Sequence, residues 1–473
     1  MTTKPKTATL FEQQSTGGEV ARSGFEYQDA YLLQHFPLYL SQAAFSHAVS
    51  ELLGDIEVRY HRPAGGTYCL LYEAKGYKLG EKELWEEIDR FSELHGKAPD
   101  EYVRFVLVCT DYLIKLNALI SKLERLRGPG ASLNSDSSIR KSAEADVIDT
   151  IVKLGQSQQA AEFILARVSF IKYSDADVAG GFAGMLTTHL PTVADMTGRE
   201  LTTLRAAYKQ LVDGSTKGMV PRAALETALT QSAPSVAAEW LATATEVRLP
   251  VGPVPNIEEL ALDVEAFNGN GRGALGVAPW QEILSQLVSL GTFLHDSRQR
   301  KAVKVSAKQR MSLACLVGFA FSATRGFTLQ MEHNSGQVHD TAKHDRSTHW
   351  FFSLNSVAAK TNSTDGVVAI CCPSPGRPDV EAATSAAPMG DAPILFLDSS
   401  APISDTAMLN TAVAQAKTAL VAFRNQHQLD CIHLFVKAPS FFAMALGHRL
   451  NGVGEIQLYD WVGNRYAPTG RLG

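Results

Sequence analysis

The stretches Asp55-Ile-Glu-Val-Arg-Tyr60 and Thr67-Tyr-Cys-Leu-Leu-Tyr-Glu-Ala-Lys75 decide how the amino-terminal part of the chain folds. The first stretch alternates polar and apolar residues, and the second is rich in residues that favour strands. Arg62-Pro-Ala-Gly-Gly66, which lies between them, has the composition of a tight turn. The sequence therefore predicts two neighbouring strands joined by a turn.

Three charged side chains come close together if these two strands pair. Glu73 and Lys75 are two residues apart, so they project from the same face of the second strand. Asp55, at the start of the first strand, can approach the same point. Two carboxylates and a lysine can bind a divalent cation and support hydrolysis of a phosphodiester bond. For Glu-x-Lys alone, the alternative is an exposed strand end with a surface ion pair.

Length, charge and cysteine content limit the classes of protein to consider. At 473 residues, 45% of them hydrophobic, the chain predicts a soluble protein of two or three domains. It has no apolar run long enough to span a bilayer and no signal peptide, which predicts no membrane partner. Six irregularly spaced cysteines form neither a disulfide framework nor a zinc signature and predict a cytoplasmic protein. A net charge of −5 restricts any nucleic-acid surface to a local patch.

Composition divides the chain into three segments. Residues 17–125 predict an α/β core with the order helix, two strands, helix and strand, and a helical extension over 126–245 completes a first domain, 1–245. Residues 246–274 are rich in proline and glycine and predict a linker. Residues 275–473 return to α/β alternation. The candidate strands there are Lys301–Val305, Thr328–His333, Val367–Cys372, Ile394–Leu397, Cys431–Val436 and Glu455–Trp461, with helices over Thr406–Asn425 and Phe441–Leu450.

A weak internal repeat is visible in this last segment. Ala302-Val-Lys-Val-Ser-Ala-Lys308 precedes an apolar helical pattern that contains Gly318 and then a strand. Cys431-Ile-His-Leu-Phe-Val-Lys-Ala-Pro-Ser440 precedes a similar helix that contains Gly447 and a further strand. Chance alignment of two strand–helix–strand units is the alternative. A true duplication predicts two α/β halves related by a pseudo-two-fold axis, with a cleft between them.

Asp55 and Glu73-Ala-Lys75, together with the preceding Gly24-Phe-Glu-Tyr-Gln28, resemble the PD-(D/E)xK nuclease superfamily. More narrowly, they resemble the endonuclease domain that is fused to bacterial antiphage sensor modules. The resemblance covers roughly residues 17–125 and implies a restriction-endonuclease-like α/β fold. It also implies that Asp55, Glu73 and Lys75 are the catalytic set, with Asp55 and Glu73 as metal ligands.

Two positions in this resemblance stay open. Glu26 and Gln28, on the first helix, are candidates for an additional metal or water contact, and helix capping or core packing is an equal alternative for both. Gly54 stands where the superfamily has a proline before the aspartate. Glu57 therefore remains a rival to Asp55 as the first carboxylate.

The carboxyl-terminal segment resembles the SAVED domain over roughly residues 275–470. The resemblance rests on Ile432–Ser440, the helix that ends near Gly447, Ile456–Trp461 and Arg465–Pro468. That family consists of two fused CARF-like α/β halves that sense cyclic oligonucleotides, in agreement with the repeat. With the nuclease resemblance, the chain is similar to the SAVED-fused nuclease effectors of CBASS antiphage systems.

Three loops at predicted strand ends are candidates for the ligand surface, because ligands of open α/β sheets bind beyond the carboxyl ends of strands. They follow Val305, Cys372 and Val436. Four cations in them could balance phosphates, and one aromatic ring could stack on a base. Solvent-exposed surface residues are the alternative. The candidate residues are Lys308, Arg310, Arg377, Lys437, Pro439, Ser440 and Phe441.

The sequence thus predicts an antiphage defence effector, a double-stranded DNA endonuclease that uses Mg²⁺ (or Mn²⁺). A cyclic di- or trinucleotide is expected to activate it by favouring a homo-oligomer that brings nuclease domains together on DNA. One alternative is a non-catalytic, DNA-binding sensor or scaffold. The other is an enzyme that degrades the cyclic nucleotide itself.

Overall fold

A computed structural model describes residues 13–215, 218–254, 256–268, 275–333, 336–360, 363–385 and 389–473, with side chains from residue 23 onward. The chain divides into two compact units at Trp240/Leu241. Among the described residues, no helix is both long and apolar enough to cross a bilayer.

The first unit is built around one six-stranded sheet. Its elements are α1 (Gln13–Ser41), β1 (Phe45–Ser50), β2 (Ile56–His61), β3 (Thr67–Leu79), α2 (Glu81–Lys97), β4 (Tyr102–Tyr112), α3 (Ile114–Arg127), α4 (Ser138–Lys153), α5 (Gln158–Arg167), β5 (Val168–Lys172), α6 (Val178–His189), α7 (Gly198–Asp213), β6 (Met219–Pro221), α8 (Arg222–Ser232) and α9 (Pro234–Ala242).

The strand order of this sheet is β5-β4-β3-β2-β1-β6. The predicted hairpin is confirmed: β2 pairs antiparallel with β3, with Ile56 opposite Tyr72 and His61 opposite Thr67. Strands β3, β4 and β5 are parallel to one another. The predicted order of helix, two strands, helix and strand is incomplete, because a further strand, β1, lies between α1 and the hairpin. The sheet is also larger than predicted. The segment 126–245, interpreted from sequence as a helical extension, contributes β5 and β6.

Helices α1 and α2 pack against the sheet through apolar stripes. In α1, Tyr27, Tyr31 and Phe36 are at most 2% exposed, as the i, i+4 spacing predicts. In α2, Leu84 and Phe91 are buried in the core that β3, β4 and α3 share. This packing holds β3 between α1 and α2, with the candidate site at its carboxyl-terminal half.

The second unit contains two sheets. Its elements are β7 (Thr245–Val247), α10 (Glu265–Asn268), α11 (Val277–Ser297), β8 (Ala302–Ser306), α12 (Met311–Ala320), β9 (Thr328–Glu332), β10 (Val338–Asp340), β11 (Ser353–Val357), β12 (Asp365–Cys371), α13 (Arg377–Thr384), β13 (Ile394–Asp398), α14 (Thr406–His427), β14 (Cys431–Lys437), α15 (Ser440–Gly447), β15 (Glu455–Val462) and β16 (Arg465–Leu472).

The four-stranded sheet has the order β10-β9-β8-β7, and the six-stranded sheet has the order β11-β13-β12-β14-β15-β16. All six strands predicted for this segment are present within three residues of their predicted ends. The segment predicted as a linker, 246–274, instead overlaps a strand, because β7 pairs in parallel with β8. Residue 255 and residues 269–274 of that segment lie outside the described residues.

The two halves of the predicted repeat meet where α12 crosses α15. A Cβ added to Gly318 on α12 would lie 1.9 Å from the carbonyl oxygen of Met444, and one added to Gly447 on α15 would lie 2.1 Å from that of Cys315. Each helix therefore presents a glycine to the backbone of the other. The reciprocal contact is what two copies of one strand–helix–strand unit would produce.

Candidate functional site

Asp55 directly precedes β2 and faces the carboxyl-terminal half of β3. Its Oδ2 atom accepts a hydrogen bond from the backbone N–H of Ala74 at 2.6 Å. Asp55 and Lys75 line a cavity of about 450 Å³, together with Gln28 on α1 and Tyr77 on β3. The predicted approach of Asp55 to the Glu-x-Lys strand is therefore present in the structure.

Glu73 and Lys75 belong to an ion-pair network with α2. The Nζ atom of Lys75 lies 2.8 Å from Oε1 of Glu73 and 3.4 Å from Oε1 of Glu87. Arg90 pairs with the other oxygen of Glu73 and also with Glu87. Arg90 in addition donates to the carbonyl oxygen of Leu53 at 2.8 Å, which ties α2 to the loop before Asp55.

The electrostatics of the site separate the roles of Asp55 and Lys75. Burial, and next the charge of Glu73, raise the pKa of Asp55 to about 7, although the Ala74 hydrogen bond and Lys75 oppose the shift. Burial alone would lower the pKa of Lys75, but its pairing with Glu73, Glu87 and Asp55 raises that pKa overall. Lys75 is therefore a cation at neutral pH, whereas Asp55 gains or loses a proton near it.

The structure distinguishes Asp55 from its rival Glu57 by their surroundings. Glu57 is fully buried, and its carboxylate accepts hydrogen bonds from Nε of Arg59 at 3.1 Å and from the backbone N–H of Leu53 at 3.1 Å. Arg59 also pairs with Glu101. Glu57 thus belongs to a buried structural ion pair, and it is Asp55 that lines the cavity.

The two candidates on α1 point to different places. Tyr27 is buried, its hydroxyl donates to the carbonyl oxygen of Tyr173 at 3.1 Å, and its ring packs where Gly76 has no side chain. This anchoring places Gln28 on the cavity that Asp55 and Lys75 line. Glu26 is exposed and lines a separate cavity beside α7.

Three charged residues near the site were not identified from the sequence. Glu87 and Arg90 stand three residues apart on the polar face of α2, a spacing that brings side chains together on a helix but does not reveal their distant partner. Glu51 adopts a left-handed backbone conformation, with φ of 58°. Its negative charge is close enough to raise the pKa of Asp55 further. The site is consequently richer in carboxylates than the motif alone indicates.

This donor set fits a hard divalent cation. Asp55 and Glu73 offer carboxylate oxygens, the ligand type that Mg²⁺ and Mn²⁺ prefer. Both are partly or fully buried, and Glu73 is only 7% exposed. Burial, and next the repulsion from Glu73, raise the pKa of Asp55, and a bound cation would offset both.

In the second unit, two of the predicted ligand loops meet. The hydroxyl of Ser440 donates to the carbonyl oxygen of Ala307, which joins the loop after β14 to the loop after β8. Pro439 is the N-cap residue of α15 and Arg310 that of α12. Two helix N-termini, one from each half, therefore lie at the ends of the two loops. Lys308 stands two residues before Arg310, in the loop after β8, and is exposed.

The third loop adjoins the second through its cations. Lys437 donates to the carbonyl oxygen of Pro375 at 3.1 Å and pairs with Asp379 at 3.3 Å. The guanidinium of Arg377 lies 4.4 Å from the ring centre of Phe396 and 3.9 Å from Glu381. Both cations are thus partly neutralised by acids on α13.

The expectation that Phe441 offers a free ring to a base needs correction. Phe441 is 4% exposed, and its ring stacks on that of His339, with ring centres 4.3 Å apart. His333 approaches the same ring edge-on. The aromatic side chain is a core residue at the junction of α15 and β10, because strand pairing brings these histidines to it from a distant part of the chain.

Comparison with known proteins decides the family. A family model described as "Cap4, dsDNA endonuclease domain" matches residues 16–216, and the SAVED model, "SMODS-associated and fused to various effectors sensor domain", matches residues 288–472. A curated protein of Moraxella osloensis, CD-NTase-associated protein 4, is 38% identical over 98% of the chain and 99% of its own length. The chain belongs to the CD-NTase-associated protein 4 family.

Other members of the CD-NTase-associated protein 4 family agree in sequence and structure. The protein of Acinetobacter sp. (strain ATCC 27244 / 9458) is likewise 38% identical over 98% of the chain and 99% of its own length. The Acinetobacter baumannii Cap4 SAVED/CARF-domain containing receptor, solved with the cyclic trinucleotide 2'3'3'-cAAA, is 35% identical with a TM-score of 0.86, over 95% of this chain and 98% of that one. The Moraxella osloensis Cap4 SAVED/CARF-domain containing receptor is 36% identical with a TM-score of 0.84. The match covers 96% of this chain and 100% of that one.

Membership in the CD-NTase-associated protein 4 family confirms three predictions from the sequence. The fold combines a nuclease α/β domain with a SAVED domain. The chain is a double-stranded DNA endonuclease by its amino-terminal domain. The pairing of the two domains is that of CBASS antiphage effectors.

Proposed function

We propose that this endonuclease cleaves double-stranded DNA with Mg²⁺ or Mn²⁺ at the Asp55, Glu73 and Lys75 site, after a cyclic di- or trinucleotide has bound to the SAVED domain. Ligand binding favours a homo-oligomer in which nuclease domains act together on DNA. The observation that carries the proposal is the convergence of Asp55 and the Glu-x-Lys strand on one cavity.

Each residue of the trio has a distinct role in this proposal. Asp55 and Glu73 would hold the cation, which would supply polarisation of the scissile phosphate and a lower pKa for an attacking water. Lys75 stays protonated, so it acts through its charge and its hydrogens, orienting that water or offsetting negative charge on the phosphate. Gln28 lies on the same cavity and is a candidate contact to water or metal.

Regulation by a cyclic nucleotide rests on two kinds of support. The Acinetobacter baumannii receptor was solved with 2'3'3'-cAAA and with 3'3'3'-cAAA. In the present chain, the loops that contain Lys308, Arg310, Lys437 and Ser440 come from both halves of the SAVED domain and meet. A ligand with several phosphates would contact both halves at once, as a ring of linked nucleotides can.

Plasmid cleavage by the full-length chain tests the proposal. Supercoiled DNA is incubated with the protein, with and without Mg²⁺, against a panel of cyclic di- and trinucleotides. We expect cleavage only where metal and one class of ligand are both present. Cleavage without metal, or equally fast cleavage without any cyclic nucleotide, would contradict the proposal.

Two lysines on one strand provide a matched pair of variants. Lys75→Ala should lower the cleavage rate by about 100-fold or more, because it removes the positively charged side chain at the cavity. Lys78→Ala should retain cleavage, since Lys78 pairs on the surface with Asp111 at 3.6 Å.

Two further outcomes would favour the alternative functions. Binding of DNA without cleavage across a metal series would favour a non-catalytic scaffold. Loss of intact cyclic nucleotide on chromatography would favour an enzyme that degrades this ligand.

Sensor variants separate ligand recognition from catalysis. Lys437→Ala should raise the ligand concentration needed for half-maximal cleavage, whereas Lys360→Ala, at an exposed lysine outside the three loops, should not. Light scattering with and without the activating nucleotide measures the oligomer. A mass that does not change on activation would argue against assembly as the switch.

A further inference from the structure

A cluster of three metal-ligating side chains lies in the six-stranded sheet, apart from the nuclease site. Asp365 is the first residue of β12 and Cys431 the first of β14, and the two stand opposite each other in the parallel pairing. His433 is two residues further along β14 and therefore on the same face as Cys431. One ligand atom of each of the three lies within 4.8 Å of the other two.

We propose that Asp365, Cys431 and His433 form a binding site for a borderline-soft divalent metal, with Zn²⁺ as its best fit. A thiolate, an imidazole and a carboxylate are the ligands that zinc takes in tetrahedral sites, and three protein ligands leave the fourth position to water. Water can enter, because the side chain of Asp365 is one-third exposed. A hard cation such as Mg²⁺ is a poor match for sulfur and nitrogen.

The hydrogen bonding of His433 supports the site independently. Its Nδ1 atom lies 2.7 Å from the hydroxyl of Tyr459, and that hydroxyl can donate to Sδ of Met389 at 3.7 Å. His433 then donates its Nδ1–H to Tyr459 and keeps a lone pair on Nε2, the arrangement of a metal-ligating histidine held by an outer partner.

The Nε2 atom is buried and, among the described residues, has no hydrogen-bond partner. It lies 3.7 Å from Oδ2 of Asp365, too far for a hydrogen bond. Two ligand atoms that each lie about 2.0–2.1 Å from a tetrahedral zinc are about 3.4 Å apart, so this gap is close to what a shared metal requires. A buried nitrogen without a hydrogen-bond partner, within 4.8 Å of a carboxylate oxygen and a thiol sulfur, leaves a position where a cation could bind all three.

The charges of the site are also suitable. A divalent metal binds the neutral imidazole and the thiolate, so occupation of the site would release the Cys431 proton to solvent. A thiolate and a carboxylate together would balance the two charges of Zn²⁺. Arg471 lies nearby, but it pairs with Glu455.

The sequence alone gives little sign of this site, because Asp365 is far from Cys431 along the chain. The cluster is at the amino ends of β12 and β14, whereas the predicted ligand loops follow the carboxyl ends of these strands, about 20 Å away for six residues of strand. A metal here would join β12 to β14 and stabilise the sheet that presents those loops.

Cobalt titration of the full-length protein tests the site directly. The chain is treated with a chelator, exchanged into excess Mg²⁺ so that the carboxylates of the nuclease site are occupied, and titrated with Co²⁺. We expect a thiolate-to-cobalt charge-transfer absorption and tetrahedral visible bands that saturate at one equivalent and disappear when Zn²⁺ is added. A titration without the charge-transfer absorption would overturn the proposal.

Variants assign the absorption to these residues. Cys431→Ser should lose it, and Cys372→Ser, a buried thiol at the other end of the strands, should keep it. Tyr459→Phe should weaken cobalt affinity by about 10–100-fold through the loss of the outer hydrogen bond. Zn²⁺ should raise the Tm of the wild type and of Cys372→Ser, but not of Cys431→Ser. An unchanged absorption in Cys431→Ser would refute the assignment.

Discussion

The carboxylate of Asp55 is held by the backbone N–H of Ala74, at 2.6 Å, across the hairpin from Glu73 and Lys75. The hydrogen bond favours the ionised carboxylate, but burial and the charge of Glu73 outweigh it and raise the pKa of Asp55 to about 7. If Asp55 holds the metal ion, as proposed, the site would exchange a proton for that ion near neutral pH.

Cleavage should therefore depend on pH and on Mg²⁺ together. At limiting Mg²⁺, the initial rate should rise between about pH 6 and pH 8, because only ionised Asp55 binds the cation. At saturating Mg²⁺, the midpoint should move to lower pH, since the metal competes with the proton. Initial rates on plasmid DNA at two Mg²⁺ concentrations measure both effects. A pH midpoint of the rate that does not change with Mg²⁺ concentration would contradict this prediction.

Without metal, Asp55 should reduce stability at high pH. The pKa of Asp55 is about 7 in the folded state, whereas the unfolded chain loses this proton near the ordinary aspartate pKa of 3.8. The free energy of unfolding therefore falls as pH rises through this window. Asp55→Asn removes the effect and should stabilise the first unit by about 1–2 kcal/mol at pH 8, allowing for partial screening by solvent.

Thermal unfolding in chelator at pH 8 and at about pH 2.5 checks this expectation. The two proteins should differ in Tm at pH 8 and converge at about pH 2.5, where the aspartate is protonated in both states. A wild type that is the more stable protein at pH 8 would show that the carboxylate is not under strain.

Glu57→Gln should harm stability rather than chemistry. Glu57 is fully buried against Arg59, so loss of its charge leaves a buried guanidinium with fewer partners and should cost about 3 kcal/mol. Among folded molecules, the rate and the Mg²⁺ requirement should stay within about threefold of the wild type. Asp55→Asn should show the opposite pattern, a stable protein with 100-fold less cleavage. A folded but inactive Glu57→Gln protein would return Glu57 to the role of first carboxylate.

Gly54 is the position at which the chain departs from the superfamily's proline, and the structure gives a reason. A Cβ there would lie 2.7 Å from Cδ2 of Leu71. Gly54→Ala should destabilise the first unit by about 1–3 kcal/mol and displace Asp55.

A double-mutant cycle tests whether Leu71 is the cause. In the Leu71→Ala background, the added cost of Gly54→Ala should largely vanish. Gly96→Ala, in helix α2 where a Cβ meets nothing within 4 Å, serves as the control and should not destabilise the protein. Equal costs of Gly54→Ala in both backgrounds would locate the strain elsewhere.

Gly447→Ala should destabilise the second unit by about 1–3 kcal/mol, because its Cβ would overlap the carbonyl oxygen of Cys315. Backbone cannot move aside as a flexible side chain can. Gly276→Ala, whose Cβ would meet nothing within 4 Å, is the matched control. The free energy of unfolding in urea measures the difference, and equal values for the two variants would contradict the prediction.

Local patterns predicted most of the fold. Alternation and apolar runs within five to ten residues indicate the β2–β3 hairpin and six strands of the second unit, β8, β9 and β12 to β15. Strands β1, β7, β10, β11 and β16 were not predicted. Strands β5 and β6 were missed because each lies in an otherwise helical stretch and pairs with a strand far away in the chain. Met219–Pro221 has only three residues, too few to show a period.

The candidate site was predicted to the extent that one hairpin creates it. Asp55, Glu73 and Lys75 follow from strand parity, but the roles of Glu87 and Arg90 depend on how α2 packs against β3. For Phe441 the prediction was wrong. Its place in a loop at a strand end suited a ligand contact, yet its ring stacks on His339, which comes from another strand. Residues whose surroundings are set by tertiary packing have no local signature.

The crossing of α12 and α15 also limits how the SAVED domain can move. At Gly318 and Gly447 the backbones touch directly, so no side chain lies between the helices to change rotamer. Sliding one helix along the other would drive backbone into backbone, and rotation about the crossing is the least hindered motion. The two halves are therefore joined backbone to backbone at this crossing, so a change in the angle between α12 and α15 would move the two loops that precede these helices.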